Sequence, residues 1–174
     1  MQNIDISKYK YVSFDVFDTL IFRTVAHPND IFDIVQLVYT KLYDKKICSF
    51  PKERIKAEQN VRRLYIGKDI TLDEIYDNLD YEESIKYRLK ELEINVELKN
   101  CIPNDTMVDY VKKCRSLGKK IVVTSDMYLP RLFFERLFAK LGLNIDFLFL
   151  SSEERETKRS GKLYEILLDK LQIS

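Results

Sequence analysis

The sequence predicts an α/β protein whose parallel sheet is interrupted by an all-helical insertion. Three apolar, β-prone segments predict the strands, at residues 10–14, 119–126 and 146–152. A helical segment separates the second strand from the third, which is typical of parallel strands joined by crossover connections. We therefore assign residues 1–24 and 103–174 to an α/β core, and residues 25–102 to a helical insertion.

The composition is that of a soluble globular protein without a nucleic-acid partner. The 174 residues are 45% hydrophobic and 33% charged, and their formal net charge is +1. A nearly neutral chain lacks the electrostatic footprint that a polyanion requires. No apolar run is long enough to span a membrane, and the amino-terminal residues contain no apolar signal segment. We therefore expect a cytoplasmic protein.

The three cysteines and the single histidine do not predict a metal site. Cys48, Cys101 and Cys114 are scattered along the chain without CxxC spacing, so we expect reduced, mostly buried thiols. His27 precedes Pro28, where we expect a loop or helix-cap residue rather than a metal ligand or a base.

The insertion contains four predicted helical segments. The first begins near Pro28, after which apolar residues recur at helical spacing. The charged residues 52–66 predict the second helix. The sequence TLDE at residues 71–74 is a capping box and predicts the start of the third helix. Residues 82–99 have apolar side chains on one face and predict a long amphipathic fourth helix.

The second part of the core contains three predicted helices. One is capped by Asn104 or Asp105 and ends before Gly118. Another lies within residues 130–142, with proline near its start and glycine at its end. The last runs over about residues 160–171 and closes the predicted core.

Polar side chains follow each of the three predicted strands. In chain order they are Asp15 to Thr19, then Thr124, Ser125 and Asp126, and then Ser151, Ser152 and Lys158. Ligands of open parallel sheets bind outside the carboxyl ends of the strands, so we expect these groups to converge. A carboxylate can act as a nucleophile, hydroxyl groups can hold an oxyanion, and a lysine can neutralise charge. Singly, each residue also fits a turn or a helix cap.

The order of these segments resembles the haloacid dehalogenase-like (HAD) superfamily of aspartate-nucleophile hydrolases. FDVFDTL (14–20) is similar to its first motif, IVVTSD (121–126) to its second, and TKRSGKLY (157–164) to its third. The insertion matches the helical C1 cap, which closes over the site and selects the substrate. The resemblance implies a Rossmann-like core with a helical cap.

The resemblance also implies a phosphatase-like hydrolase of a small phosphorylated metabolite, such as a sugar phosphate. Asp15 would be the nucleophile that forms an aspartyl-phosphate, and Lys158 would neutralise charge beside it. The spacing to Tyr164 favours Lys158 over Lys162 for this role.

The same resemblance implies a magnesium ion and a phosphate-binding pocket. Mg²⁺ would bind the Asp15 carboxylate and the backbone carbonyl of Phe17, acting as a Lewis acid. The substrate would be held by backbone amides of residues 16–19 and by the side chains of Thr19, Thr124 and Ser125.

Phe17 departs from the phosphatase pattern. The phosphatases of this superfamily usually have an aspartate two residues after the nucleophile, where it protonates the leaving oxygen. Phenylalanine cannot transfer a proton, and a general acid or base typically contributes about 10²–10⁴-fold. Haloacid dehalogenases have an aromatic residue there, because a halide needs no proton. Three possibilities follow: a weak phosphatase, a 2-haloacid dehalogenase, and a non-catalytic binding module.

Two other features shape our expectations for the whole protein. Ser13 to Arg23, with the pattern SFDVFDTLI.R, resembles HAD modules in or beside bacterial glycosyltransferases and surface-polysaccharide enzymes.

The superfamily's fourth motif, which supplies further magnesium ligands, would follow residue 171, but the sequence ends at Ser174. We expect a truncated fragment that is weakly active or inactive. We also expect an exposed sheet edge at the first strand, where another chain or the missing region can associate.

Overall fold

A computed structural model describes residues 5–44, 47 and 49–173. Within these residues the chain forms five strands: β1 (Tyr11–Phe14), β2 (Ile21–Arg23), β3 (Cys101–Pro103), β4 (Lys120–Ser125) and β5 (Phe147–Leu150). Strands β1, β4 and β5 form one parallel sheet in the order β1-β4-β5. The predicted α/β fold with a parallel sheet is therefore confirmed.

Helices account for most of the remaining described residues. They are α1 (Asp30–Tyr43), α2 (Phe50–Leu64), α3 (Leu72–Asp77), α4 (Glu83–Asn100), α5 (Asp105–Ser116), α6 (Arg131–Leu141), α7 (Ser151–Glu154) and α8 (Lys162–Leu171). The first four form the insertion. The capping box predicted at Thr71 is present, since its side chain accepts the Glu74 N–H and the Glu74 carboxylate accepts the Thr71 N–H.

The structure differs from the sequence-based prediction in two places. β2 and β3 form a short antiparallel pair that joins the two linkers of the insertion, with Arg23 opposite Cys101. Strands of three residues are too short to show an alternating pattern, so the sequence does not reveal them. Ser151 and Ser152 were expected to extend the third core strand. Instead they begin α7, and both are buried.

The structure also shows where the cysteines and the single histidine lie. Cys101 and Cys114 are free and buried, and burial raises the pKa of the Cys101 thiol to about 12. Cys48 lies outside the described residues. His27 lies in the loop before α1, where its backbone N–H donates to Asp30 at 2.8 Å. Within the part of the chain that the structure describes, no helix is long and apolar enough to cross a membrane.

β1 is at one edge of the sheet formed by the described residues. Its side chains alternate between the two faces of the sheet, so Ser13 and Phe14 point in opposite directions. Phe14 is buried in the main core, whereas Ser13 is exposed. Association of another segment with this edge stays a prediction.

Asp146 ties the start of β5 to the start of β4, and this contact makes stability depend on pH. Its carboxylate accepts from the Ile121 backbone N–H at 2.8 Å, from Lys120 at 3.0 Å and from Arg115 at 2.8 Å. Burial alone would raise the pKa of this carboxyl, but the three donors outweigh it and lower the pKa to about 2.

We expect the Asp146→Asn variant to lose about 1–2 kcal/mol of folding free energy near neutral pH. Because the folded pKa is below the unfolded value, the stabilisation is present above the unfolded pKa and is lost as pH falls through the folded pKa. Urea denaturation at about pH 7 and about pH 3 measures the difference between wild type and variant, which should shrink at the lower pH. A difference that is the same at both values would contradict this assignment.

Candidate active site

Asp15 directly follows β1, at the carboxyl edge of the parallel sheet. Its side chain is 43% exposed, so the carboxylate is open to a ligand. Oδ1 accepts the Val16 backbone N–H at 2.8 Å and the Lys158 ammonium at 2.8 Å. These two contacts orient the carboxylate and place a positive charge beside it.

The loop after Asp15 is held in one shape by its own backbone. The N–H groups of Thr19, Leu20 and Ile21 lie 3.3, 2.8 and 3.1 Å from the Val16 carbonyl oxygen. Asn104 closes the loop from the other side, because its side-chain amide donates to the Thr19 carbonyl at 2.9 Å. The loop is therefore fixed by the start of α5 as well as by β1.

Strand β4 brings Thr124 to the same face of the sheet as Asp15. Ser13 pairs opposite Val122, so residues 13 and 15 share a face with residues 122 and 124. The hydroxyls of Ser13 and Thr124 share a hydrogen bond at 2.9 Å, and Thr124 is buried. Ser125 is also buried but lies on the opposite face of the strand. The substrate-binding roles of Thr19, Thr124 and Ser125 stay predictions.

The structure distinguishes the two lysines near the third motif. Lys158 contacts Asp15, as described above, whereas Lys162 starts α8 and pairs with Glu156 at 3.3 Å. Arg155 ends α7 in the left-handed region, with a φ of 59°, and the loop that follows contains Lys158.

Asp126, one of the polar residues predicted to converge at the strand ends, is a further carboxylate at this edge. Both of its oxygens accept the Lys158 backbone N–H, at 2.9 and 3.1 Å. Partial burial raises the pKa of Asp126, and the negative charges of Asp69 and Asp15 raise it further, against the opposing effect of Lys158. Its position two residues after Thr124 was the available sequence signal.

The helical insertion formed by α1–α4, which we refer to as the cap, contacts the core beside this site. Asp69, just before α3, is buried and accepts the hydroxyl hydrogen of Ser151, which itself accepts the Met127 N–H at 2.9 Å. The Leu72 N–H donates to the Tyr128 carbonyl at 2.9 Å. These partners come from distant parts of the sequence, so no local pattern predicts them.

A salt bridge adds to this connection between cap and core. Arg155 pairs with Glu74 at 2.7 Å and lies over the Tyr65 ring, 4.8 Å from its centroid. The contacts of α3 and its preceding loop therefore hold the cap against the strand ends.

Phe17 packs as a structural side chain. Its ring stacks on Phe133 of α6, with centroids 6.2 Å apart and planes at 8°, and meets Phe134 edge-on. The Arg23 guanidinium lies 4.1 Å from the centroid of the Phe17 ring and pairs with Glu97 at 2.6 Å. Residue 17 thus joins the loop after β1 to α6 and to the linkers of the cap.

The residues at the site fit a magnesium ion only in part. The Asp15 carboxylate and the Phe17 carbonyl are oxygen donors of the kind that Mg²⁺ prefers. Among the described residues, however, no three His, Cys, Asp or Glu side chains form a cluster suited to a metal. A magnesium ion held by Asp15 would need substrate oxygens and water to complete its coordination.

Comparison with solved structures finds matches over most of the chain. The L-2-haloacid dehalogenase from Xanthobacter autotrophicus matches at 14% identity with a TM-score of 0.57, covering 95% of this chain and 66% of that one. A defluorinating L-2-haloacid dehalogenase matches at 16% identity with a TM-score of 0.62, covering 95% and 69%. A HAD-hydrolase from Bacillus subtilis bound to magnesium matches at 13% identity with a TM-score of 0.51, covering 83% and 66%.

At these identities the likeness establishes the fold. The chain spans about two thirds of the length of the first of these structures. No protein-family model matches the sequence, and no curated protein matches it either.

Proposed function

The chain has the HAD-superfamily fold, and we propose that it is a hydrolase that removes the phosphoryl group from a small phosphorylated metabolite. The observation that supports this most strongly is the 2.8 Å ion pair between Lys158 and Asp15 at the carboxyl end of β1. A sugar phosphate is the substrate class that we favour. The cap, which lies against the strand ends, would select it.

The proposed first step is attack by Asp15 on phosphorus. A carboxylate is a suitable nucleophile, and the Lys158 ammonium orients the Asp15 carboxylate through their 2.8 Å contact. The same ammonium would offset the charge that develops on the transferring phosphoryl oxygens. Thr124, on the same face as Asp15, would bind those oxygens, whereas the Val16 and Thr19 amides already donate to Asp15 and to the Val16 carbonyl.

In this proposal, the Asp15 carboxylate and the Phe17 backbone carbonyl would be the protein ligands of a magnesium ion. When bound, it would polarise the phosphoryl group as a Lewis acid. None of the steps above depends on it.

Phe17 limits the substrates that this site can hydrolyse. The Phe17 ring cannot donate a proton to a leaving group, and it is packed against Phe133 of α6. Hydrolysis therefore requires a leaving group that departs as an anion, or a proton that comes from another residue.

A 2-haloacid dehalogenase is the second candidate. The aromatic side chain at residue 17 favours it, because a halide leaves without a proton. One of the solved structures that this chain resembles is a dehalogenase with chloropropionic acid covalently bound. The same Asp15 would then attack carbon instead of phosphorus.

A non-catalytic role in a polysaccharide-assembly or glycosyltransferase protein is the third candidate. Phe17 favours it, because its packed ring supplies no proton-transfer group next to Asp15.

Product release from two model substrates separates the three candidates. We expect the protein to release phosphate from p-nitrophenyl phosphate in buffer with magnesium, because p-nitrophenolate leaves without a proton. Chloride release from 2-chloropropionate in the presence of EDTA would instead support the dehalogenase. If neither product forms at a rate above that of a boiled sample, the hydrolase proposal fails.

A further inference from the structure

Asp126 is the second carboxylate that the fold places at the strand ends beside Asp15. It directly follows β4, as Asp15 directly follows the neighbouring parallel strand β1, so both carboxylates lie at the carboxyl edge of the sheet. Both carboxylates contact the same residue, Lys158, so one small substrate at this edge can touch both of them.

Lys158 connects the two carboxylates. Its backbone N–H donates to both Asp126 oxygens, at 2.9 and 3.1 Å, and its ammonium lies 2.8 Å from Asp15. The ammonium is directed at Asp15, whereas Asp126 receives only the neutral N–H. The two carboxylates thus have different surroundings although one residue binds both.

Burial and the neighbouring charges act on the protonation of Asp126. Asp69 from the cap and Asp15 from the core are the negative groups that act on Asp126, and Lys158 is the positive one. Partial burial and the two negative charges raise the pKa of Asp126. A carboxyl whose pKa is raised is suited to acid catalysis beside a carboxylate nucleophile.

We propose that Asp126 is the general acid and base of this site, in place of the residue at position 17. The inference rests on the proposed phosphatase function. As Asp15 forms its bond to phosphorus, the bond from phosphorus to the leaving oxygen breaks, and the protonated Asp126 gives its proton to that oxygen. In the second step the Asp126 carboxylate takes a proton from water. The water oxygen then bonds to phosphorus, and the bond to Asp15 breaks, which releases phosphate and restores both aspartates.

The test compares leaving groups of different basicity in Asp126→Asn. Asparagine keeps an oxygen that accepts the Lys158 N–H but has no carboxyl proton. We expect kcat/KM for a sugar phosphate, whose alkoxide leaves poorly, to fall by about 10²-fold or more. For p-nitrophenyl phosphate we expect kcat/KM to fall much less, because that leaving group needs no proton. The Asp126→Glu variant should restore part of the sugar-phosphate rate.

Two results would overturn the inference while leaving the proposed function intact. One is an equal fall for both substrates in Asp126→Asn, which indicates a positioning role. The other is a wild-type protein that hydrolyses p-nitrophenyl phosphate but no sugar phosphate. A wild-type protein that hydrolyses neither substrate removes the proposed function and this inference together. Unfolding midpoints of the variants show whether a lost rate reflects a lost fold.

Discussion

Asp15→Asn is expected to lower the rate of phosphate release by at least about 10³-fold, because removal of a catalytic nucleophile typically costs that much or more. The asparagine amide keeps an oxygen for the Val16 N–H but cannot attack phosphorus. Because the Asp15 side chain is 43% exposed, the variant should fold as well as the wild type. Phosphate release from p-nitrophenyl phosphate measures the rate, and the urea midpoint measures the fold.

The matched control for this change is Asp33→Asn. Asp33 is an exposed aspartate in the first turn of α1, outside the site, so its substitution removes the same charge without touching the chemistry. We expect its rate to equal that of the wild type. An Asp15→Asn rate equal to that of this control would show that Asp15 is not the nucleophile.

Arg54→Met is expected to produce the largest loss of stability in the described chain, about 3–5 kcal/mol. Arg54 of α2 is fully buried and donates to the buried Glu93 of α4 at 2.8 and 2.9 Å. Its guanidinium also lies 4.7 Å from the Phe32 ring centroid and 4.9 Å from that of Tyr128. Removing the arginine would leave the Glu93 carboxylate buried without its cation.

The double variant Arg54→Met with Glu93→Met separates this cause from lost packing. With both charges removed, no buried ion remains unpaired, so we expect the double variant to be more stable than Arg54→Met alone. Lys112→Met is the control for an exposed ion pair. The Lys112 side chain is 56% exposed, and its ammonium lies 3.7 Å from the Asp109 carboxylate. Its substitution should change the free energy of unfolding by less than about 1 kcal/mol. A double variant that is less stable than Arg54→Met would contradict this explanation.

The contact of Arg54 with Tyr128 also connects stability to the site. Tyr128 lies in the loop after β4, two residues beyond Asp126, and its carbonyl accepts the Leu72 N–H from the cap. Loss of Arg54 would therefore loosen the cap where it meets the strand ends. We infer that the buried ion pair supports the position of the cap as well as its internal packing.

The parallel sheet could be predicted because its strands are apolar runs that end in polar residues. The residues of β4 after Lys120 are all buried, and the apolar run IVV is what a strand buried on both faces requires. The convergence of Asp15 and Thr124 followed from this, since parallel strands bring their carboxyl ends to one edge.

Other parts of the site depend on tertiary contacts and could not be predicted. Asp69 is an ordinary loop residue in the sequence, yet it is buried against Ser151 in the fold. The sequence placed Ser151 at the end of a strand, but the chain turns into α7 there so that its hydroxyl meets the cap. The packing of Phe17 on Phe133 likewise requires two segments more than a hundred residues apart.

The stereochemistry at phosphorus tests most directly the claim that Asp15 is phosphorylated during turnover. The measurement uses an isotopically chiral aryl phosphate and transfers its phosphoryl group to an alcohol acceptor. Attack by Asp15 followed by attack of the acceptor inverts the configuration at phosphorus twice, so we expect net retention of configuration. Net inversion would mean that the acceptor attacks phosphorus in a single step, and it would contradict the covalent role of Asp15.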